Sequence, residues 1–368
     1  MKILLINPWD SEVFPTPAIG YLQATVKAHG HEVKAVDLSG IDSENDDYDF
    51  IAASFHSFSV RYAIRIREKF KGHLICGGHH PSSMPHQMLG IGYNQVVVGE
   101  GEQALIDIIE GNTSQIINGK QCNIDAIPIP DYTGLSYSGL MGMPIISSRG
   151  CPFHCNFCAS TRFWGNKYRM RSSDSVLNEL AYRINGGMRV WMFEDDNFTA
   201  NKHRAMEICS GIAEMGKFSW QCASRAESLD DELCRALSLA GCKTVWLGIE
   251  SLCQDSLDRC NKHTTVAKML NGIKTAHKYG IETISQFITG IPGDSIENIQ
   301  ETAFQIRKNK IGTRGANIMW ILPDTLAYYK AKERGFSDET YLKTGAPFYT
   351  YEQDMNTLNK WSNLINVA

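Results

Sequence analysis

The 368-residue sequence has no hydrophobic run long enough to cross a bilayer. Its first apolar stretch, residues 1–6, is stopped by Asn7 and Pro8, and no later run reaches the required length. The same stretch is too short for a signal peptide, which predicts an unprocessed protein without a membrane partner. A G-x-S-x-G nucleophile motif and a G-x-x-x-x-G-K-S/T phosphate loop are both missing. The sequence therefore argues against the serine-hydrolase and P-loop classes of enzyme.

Basic residues are also too few for a nucleic-acid-binding protein. The net charge is −4; residues 1–150 carry 10 basic and 16 acidic side chains, and the remainder carries 26 and 24. Neither half shows the basic excess expected of a nucleic-acid partner, which leaves a small-molecule or peptide substrate. The densest basic cluster, interleaved with aromatic residues, is typical of a solvated face, or it could bind a phosphate or a base. It consists of Arg162, Lys167, Arg169 and Arg171.

The chain has 11 cysteines, an odd number scattered through apolar segments. In a sequence without a signal peptide, this use of cysteine argues against a disulfide framework and indicates a reducing compartment. We therefore expect a cytoplasmic protein. The 43% content of hydrophobic residues is enough for a sizeable core in each of two domains.

Residues 1–125 alternate short apolar runs with helical patterns. This rhythm predicts an α/β domain with a doubly wound, flavodoxin-like or Rossmann-like parallel sheet covered on both faces. Small or polar residues such as Gly77, Gly99 and Glu100 follow the strands, where open α/β sheets bind ligands, although tight turns explain the glycines equally well. The predicted strands are Ile3–Ile6, Val33–Val36, Phe50–Ser54, Leu74–Cys76 and Val96–Val98.

Periodicity fails between about 111 and 144, and the prolines there predict an inter-domain linker at 126–143. Residues 144–330 then repeat a strand–helix unit about six times, which predicts a partial (β/α)6, TIM-like barrel with its chemistry at the strand carboxyl ends. Residues 331–368 follow as a short C-terminal extension. The predicted barrel strands are Ile145–Ile146, Arg189–Phe193, Trp220–Ala223, Val245–Ile249, Ile284–Ile288 and Asn317–Ile321.

Three cysteines, Cys151, Cys155 and Cys158, follow the first barrel strand with the spacing C-x-x-x-C-x-x-C. Three thiolates can hold an iron-sulfur cluster and leave one iron open. The alternatives are ordinary buried thiols, or a structural zinc site completed by His154 or a distant cysteine. Such zinc sites usually show two separated ligand pairs, and no second C-x-x-C occurs here. The isolated triplet favours a cluster with an open position.

Polar residues follow the next barrel strands as well. Each alone is typical of a helix cap or a solvated turn, but their gathering at one face predicts a ligand. The acids can bind an ammonium group, and the arginine can bind a carboxylate. Beside an iron with an open position, such residues suit a ligand that carries an amino acid, such as S-adenosylmethionine. These strand-end residues are Glu194, Asp195 and Asp196, then Arg225, then Glu250 and Ser251.

These motifs resemble the radical SAM superfamily, with the aromatic Phe157 before the last cysteine and Gly248–Ser251 after the fourth strand. Other stretches are similar to the subgroup that carries an N-terminal cobalamin-binding domain, and the likeness covers roughly residues 1–330. These stretches are residues 17–22, 30–33, 77–81, 99–102, 164–172, 193–198, 224–225 and 290–294.

The resemblance implies a 4Fe-4S cluster on the three cysteines, with the amine and carboxylate of S-adenosylmethionine on the fourth iron. It also implies reductive cleavage to a 5′-deoxyadenosyl radical that attacks an unactivated carbon, with an electron donor such as flavodoxin or ferredoxin. Carried over by position, Phe157 lies near the adenine, Glu194, Asp195 and Asp196 near the amine, Arg225 near the carboxylate, and Glu250 and Ser251 near the ribose. In the first domain, the residues implied to contact cobalamin are Gly77, Gly78, His79, Gly99 and Glu100.

Two departures qualify the resemblance. The D-x-H-x-x-G motif that supplies a histidine to cobalt in many cobalamin proteins is absent, and only about 38 residues follow position 330. Our leading hypothesis is cobalamin-dependent methylation of carbon. The alternatives are a cobalamin-independent radical oxidoreductase or rearrangement enzyme with a vestigial first domain, and a regulatory or scaffolding metalloprotein. No catalytic acid or base is assigned; the histidines considered are His79, His80, His86 and His154.

Overall fold

The computed structural model describes residues 1–9, 16–136 and 142–368, which divide into two compact units. The first unit comprises Met1–Pro144 with Ser337–Pro347, and the second comprises Ile145–Phe336 with Phe348–Ala368. Within the described ranges, no helix combines the length and the apolar character needed to span a bilayer. Each unit is built on its own parallel sheet.

The first unit contains a six-stranded sheet in the order β2-β1-β3-β4-β5-β6, with every neighbouring pair parallel. Its central strands are buried on both faces, which explains their continuous apolar sequences. The strands are β1 (Lys2–Asn7), β2 (Glu32–Asp37), β3 (Phe50–Ser54), β4 (Leu74–Gly77), β5 (Gln95–Gly99) and β6 (Ile116–Gly119). The helices are α1 (Pro17–Ala28), α2 (Ala63–Lys69), α3 (His79–Ser83), α4 (Pro85–Gly90) and α5 (Glu102–Ile109).

The stretch predicted as a linker is packed against the first unit. Lys27 of α1 forms an ion pair with Asp131 at 2.5 Å, and Gln23 donates to the Asp131 carbonyl. Gly20 is needed at this contact because a Cβ would lie 2.4 Å from the ring of Tyr132. The compact unit therefore extends to Pro144, past the boundary expected at 125, and residues 137–141 of the predicted linker lie outside the described residues.

The second unit contains a six-stranded sheet in the order β14-β13-β12-β11-β10-β7. The strands from β10 to β14 pair with their neighbours in parallel, each connected to the next through a helical segment. Its strands are β7 (Met143–Ile145), β10 (Val190–Phe193), β11 (Ser219–Ser224), β12 (Cys242–Glu250), β13 (Glu282–Thr289) and β14 (Thr313–Ile318), with a separate antiparallel pair, β8 (Ser148–Arg149) and β9 (Arg169–Met170). This arrangement confirms the predicted α/β class, a parallel sheet followed by a partial barrel.

The helices of the second unit follow the alternation predicted from apolar periodicity. Several begin at a side-chain cap of the expected type: Ser172 caps α7, and Asp230 caps α9. The helices are α6 (Ala159–Phe163), α7 (Ser173–Asn185), α8 (Lys202–Met215), α9 (Asp231–Leu239), α10 (Gln254–Arg259), α11 (Val266–Lys278), α12 (Ile296–Asn309) and α13 (Leu326–Glu333).

The last barrel strand was predicted too late in the sequence. We expected Asn317–Ile321, but β14 covers Thr313–Ile318. The apolar pattern was misleading because Arg314 and Gly315 lie inside the strand, whereas Trp320 has left it and forms a single bridge with Phe348. Strand β6 was missed for a similar reason, since its Ile-Ile-Asn-Gly sequence is too short to show a period.

The C-terminal region contributes to both units. Residues 337–347 contain α14 (Thr340–Thr344) and belong to the first unit, where the fully buried Tyr341 ring meets His80 edge to face at 5.1 Å. The Asp338 carbonyl also accepts a hydrogen bond from Gln87 at 2.8 Å. Residues 348–368 return to the second unit, and α15 (Met355–Asn366) packs on β14 and α12.

Helix α11 lies so close to the turn at residues 226–228 that only glycine fits at its middle. A Cβ on Gly272 would clash with the Ala226 carbonyl oxygen, which is backbone and cannot rotate away. We expect Gly272→Ala to lower the free energy of unfolding by about 1–3 kcal/mol through overpacking. Gly90, also helical, is the matched control because a Cβ there meets nothing within 4 Å.

Chemical unfolding followed by circular dichroism measures this prediction. Gly90→Ala should not lower the free energy of unfolding and should raise it by at most about 1 kcal/mol, because alanine is the better helix former. Equal free energies for the Gly272→Ala variant and the unmodified protein would contradict the close approach of helix and turn.

Candidate functional site

The three cysteines lie on the loop between β8 and α6, and backbone contacts hold this loop in place. The backbone N–H of Asn156 donates to the Cys260 carbonyl at 3.1 Å, and its side chain donates to the Arg259 carbonyl at 2.6 Å. The Asn261 side chain donates in turn to the carbonyl of His154. The cysteine loop is therefore fixed to the segment that follows α10, and His154 is held by its backbone.

The three thiols suit a cluster better than a zinc ion. Cys151, Cys155 and Cys158 are half-buried free thiols. Sulfurs on one tetrahedral zinc lie about 3.8 Å apart, given Zn–S bonds of about 2.3 Å. Within the described ranges, the only three candidate ligand atoms mutually within 4.8 Å belong to Glu100, Glu102 and Cys122. The cysteine triplet is not among such compact groups, and its C-x-x-x-C-x-x-C spacing without a second ligand pair fits a cluster with one open iron.

The protein environment favours protonated thiols at two of these cysteines until a metal binds. Burial and, to a smaller extent, the nearby Asp196 carboxylate raise the pKa of Cys158 to about 11. Burial likewise raises the pKa of Cys151. Because a thiolate is the ligand form, metal binding at these two cysteines would release protons.

Two of the three acids after β10 are occupied by hydrogen bonds inside the protein. Asp195 is buried and accepts from the backbone N–H of Ser147 at 2.6 Å and from the Ser148 hydroxyl at 2.7 Å. Asp196 accepts from the Gly150 N–H at 3.1 Å and from the Ser160 hydroxyl at 2.6 Å. These two carboxylates hold both ends of the cysteine loop.

Glu194 is different, because its Oε1 atom is buried and has no hydrogen-bond partner among the described residues. Burial and, to a smaller extent, the nearby Asp195 carboxylate raise the pKa of this carboxyl to about 7. A buried polar atom without a partner costs free energy and calls for an explanation, and a ligand with N–H groups would supply one. Of the three predicted acids, Glu194 is the one left available to a ligand.

Arg225, at the end of β11, is buried against the cysteine loop. Its Nη1 donates to the Cys155 sulfur at 3.5 Å, and the guanidinium stacks 4.0 Å over the Phe153 ring. Its Nε donates to Glu227 at 2.5 Å, and its Nη2 donates to the Lys262 carbonyl. The structure thus places this predicted carboxylate-binding residue in contact with a candidate metal ligand.

Glu250 ends β12 with a left-handed backbone, φ +63°, at a point where the pairing with β13 shifts register. Its carboxylate forms a buried ion pair with Lys262 at 2.9 Å. Lys262 was missed in the sequence because it lies in a loop and matches no motif; its ammonium is also 5.9 Å from the Phe157 ring. Strain in a non-glycine residue beside a buried ion pair is typical of functional sites.

Ser251 and Phe157 complete the predicted set in this unit. The Ser251 hydroxyl pairs with that of Thr302 at 2.9 Å and accepts from the Cys253 N–H. Its hydrogen bonds are therefore structural, while Phe157 lies on the cysteine loop beside Lys262. The structure brings Arg225, Lys262 and the cysteine loop together and leaves Glu194 as the acid without a partner.

In the first unit, the predicted glycines lie at the carboxyl edge of the sheet. Gly78 has φ +97°, and a Cβ there would lie 2.6 Å from the Phe55 carbonyl oxygen, so glycine is required. Gly99 has φ +88°, whereas Gly77 is extended strand with ordinary contacts. The carboxylate of Glu100 is engaged, since it accepts from the Cys122 thiol at 2.9 Å.

Three histidines gather beside these glycines. Burial lowers the pKa of His56 and of His79 to about 4, and in His79 the nearby His56 adds to the effect, so both are neutral at pH 7. His80 is buried between Ser57 and Gln87. His56 was missed in the sequence; its Nδ1 is buried without a partner among the described residues, and its ring meets Trp9 edge to face at 5.2 Å.

Comparison with known proteins supports the resemblance predicted from the motifs. The model of the radical SAM superfamily matches residues 145–306. An uncharacterized methyltransferase of Pyrococcus horikoshii is 29% identical, with 82% of this chain and 77% of the relative covered. The bacteriochlorophyllide d C-12(1)-methyltransferase of Chlorobaculum tepidum is 26% identical, with coverages of 90% and 79%.

A solved structure shares the fold of both units. It is the radical S-adenosylmethionine methyltransferase TsrM from Kitasatospora setae, with cobalamin and a 4Fe-4S cluster bound. The TM-score is 0.73 and the identity 18%, and the match covers 88% of this chain and 77% of TsrM. At this identity the likeness establishes the fold.

The raised pKa of Glu194 gives a test of the site without any ligand. Because its folded pKa of about 7 exceeds the usual 4.5, this group favours folding most below pH 4.5, and that contribution is lost as the pH rises through 7. We expect Glu194→Gln to raise the melting temperature at pH 8 and to have a smaller effect at pH 5.5.

The exposed Glu214 of α8 provides the control, Glu214→Gln. Scanning calorimetry at both pH values measures the difference between variant and unmodified protein. If the melting temperature of Glu194→Gln rises no more at pH 8 than at pH 5.5, Glu194 is not a buried, unpaired carboxyl.

Proposed function

We propose that this chain is a radical SAM enzyme, given the match of residues 145–306 to the model of that superfamily, and that it methylates an unactivated carbon using a 4Fe-4S cluster, S-adenosylmethionine and cobalamin. The observation that carries the proposal is the cysteine loop. Its three thiols are half-buried and lie among the polar ends of neighbouring strands. Such a site suits a cluster with one open iron.

The residues around the loop divide into ligands and supports. Cys151, Cys155 and Cys158 hold the cluster. Asp195 and Asp196 position the loop through their hydrogen bonds to Ser147, Ser148, Gly150 and Ser160, so they act on the cluster from outside. Glu194, with a free buried oxygen, is the acid placed to accept N–H groups of the methionyl amine.

An ionised Glu194 binds an ammonium better than a protonated one. Because the pKa of this carboxyl is about 7, an ammonium in contact with it would draw the group to the ionised form. Lys262 and Glu250 neutralise each other beside Phe157, which leaves that side of the loop without net charge and suited to an uncharged ribose and adenine.

Bound here, the cluster supplies the electron that cleaves S-adenosylmethionine, and a cobalamin supplies the methyl carrier. The first unit suits a large planar ligand at its sheet edge, because Gly78 brings backbone close and the neutral His56 has a buried ring nitrogen without a described partner. Methyltransferases among the relatives, and cobalamin in TsrM, support this part of the proposal.

The substrate we propose is a small molecule or peptide with an unactivated carbon. The cluster needs an external one-electron donor, for which a flavodoxin- or ferredoxin-type protein is the proposed partner. No two cysteines of the described residues form a disulfide, which suits a reducing compartment such as the cytoplasm.

Anaerobic reconstitution with iron, sulfide, S-adenosylmethionine and a reductant tests the enzyme assignment. We expect the unmodified protein to form 5′-deoxyadenosine and Cys155→Ala to form none above background, because the variant lacks one cluster ligand. Cys234→Ala, in a buried thiol of α9, is the control and should retain the activity. No 5′-deoxyadenosine from the unmodified protein would favour a regulatory metalloprotein.

Cobalamin dependence is tested separately in the same preparation. We expect the corrinoid absorption spectrum on the loaded protein and a gain of one methyl group in the product mass. Turnover without cobalamin, or a product lacking the methyl group, would instead support a radical oxidoreductase or rearrangement enzyme.

A further inference from the structure

We propose that Arg225 is a positioning residue that raises the reduction potential of the cluster through its hydrogen bond to the Cys155 sulfur. The inference rests on the proposed function in one respect, namely that Cys155 is a cluster ligand. It assigns Arg225 a role that the motif did not indicate, since the motif suggested contact with the carboxylate of S-adenosylmethionine.

The guanidinium of Arg225 is held by contacts on several sides. The face of the group stacks on Phe153, which lies between the first two cysteines. Its Nε donates to Glu227, and its Nη2 donates to the Lys262 carbonyl. These contacts leave Nη1 directed at the Cys155 sulfur, 3.5 Å away. The planar group is thus oriented toward the sulfur before any cluster binds.

The surroundings make this contact electrostatically strong. Arg225 is buried, with a relative exposure of 6%, so water screens its charge little. Glu227 offsets part of that charge, but its contact is with Nε, on the edge away from Nη1. Lys262, which accepts from Nη2 through its carbonyl, has its own ammonium paired with Glu250. Arg225 is therefore the cation in direct contact with a cysteine ligand.

A reduced cluster carries one more negative charge than an oxidised one. A hydrogen bond and a positive charge at a ligand sulfur stabilise the reduced form more, which raises the potential. The reaction proposed for this site begins with an electron entering the cluster, so this contact makes that step easier. The contacts of Nε, Nη1 and Nη2 leave few N–H groups of the guanidinium available to bind a ligand carboxylate.

The experiment is a potentiometric titration of the reconstituted cluster, followed by electron paramagnetic resonance, without S-adenosylmethionine. We expect Arg225→Gln to shift the reduction equilibrium about tenfold toward the oxidised form, a midpoint about 59 mV more negative for a one-electron couple. The midpoint of Arg225→Lys, which keeps the charge without the fixed geometry, should lie between those of Arg225→Gln and the unmodified protein. Iron content is measured for each variant.

Arg259→Gln is the matched control. Its guanidinium donates to Asp294 and Ser256, and no hydrogen bond from it to a cluster cysteine occurs in the part of the chain that the structure describes, so the midpoint should stay that of the unmodified protein. If Arg225→Gln fails to hold four irons, the shift of the midpoint potential in Arg225→Lys tests the proposal instead.

An unchanged midpoint in both Arg225 variants would overturn the proposal. Affinity for S-adenosylmethionine, measured on the same samples, separates the alternative role. A tenfold or greater loss of affinity at constant potential would assign Arg225 to the ligand carboxylate. Failure of the unmodified protein to show any cluster signal would instead refute the proposed function, and with it this inference.

Discussion

The site depends on the hydrogen bonds that the buried carboxylate of Asp195 accepts. Taking an ionised carboxylate out of water costs several kcal/mol unless hydrogen bonds compensate, so the groups that bond to Asp195 are held firmly. They are the N–H and hydroxyl of Ser147 and the hydroxyl of Ser148, with the Arg204 guanidinium at 3.7 Å. Asp195 thereby ties the end of β10 to the chain leaving β7, where the cysteine loop begins.

The rest of the site follows from that anchor. Asp196, the next residue, bonds to Gly150 before the first cysteine and to Ser160 after the last, so one short turn sets both ends of the loop. Helix α10 and the residues after it hold the middle through Asn156. The loop can therefore present three thiols in fixed positions although few of its residues are in regular structure.

Much of this could be read from the sequence, because it depends on local patterns. Apolar runs between helical stretches specified both parallel sheets, and strand β3 was predicted with its observed bounds. Parallel strands place their carboxyl ends at one edge, so the gathering of the cysteines, Glu194 and Arg225 followed from the fold. The cysteine spacing and the strand-end acids needed no tertiary information.

What could not be read depends on contacts between distant residues. The three consecutive acids look alike in sequence, and only hydrogen bonds to residues about 36–48 positions away distinguish Asp195 and Asp196 from Glu194. Lys262 and His56 belong to no motif, and their importance comes from what lies beside them. Strand β6 is too short, and the start of β14 too polar, for an apolar pattern to locate them.

The path of the C-terminal region has a practical consequence for work on this protein. Because residues 337–347 belong to the first unit and residues 348–368 to the second, neither unit is one uninterrupted segment of the gene. A fragment ending near residue 144 would expose the apolar surface that Tyr341 covers, and one ending near 336 would also lose α15 from the edge strand of the barrel. Either unit produced alone therefore needs its missing segment joined back through a designed connection.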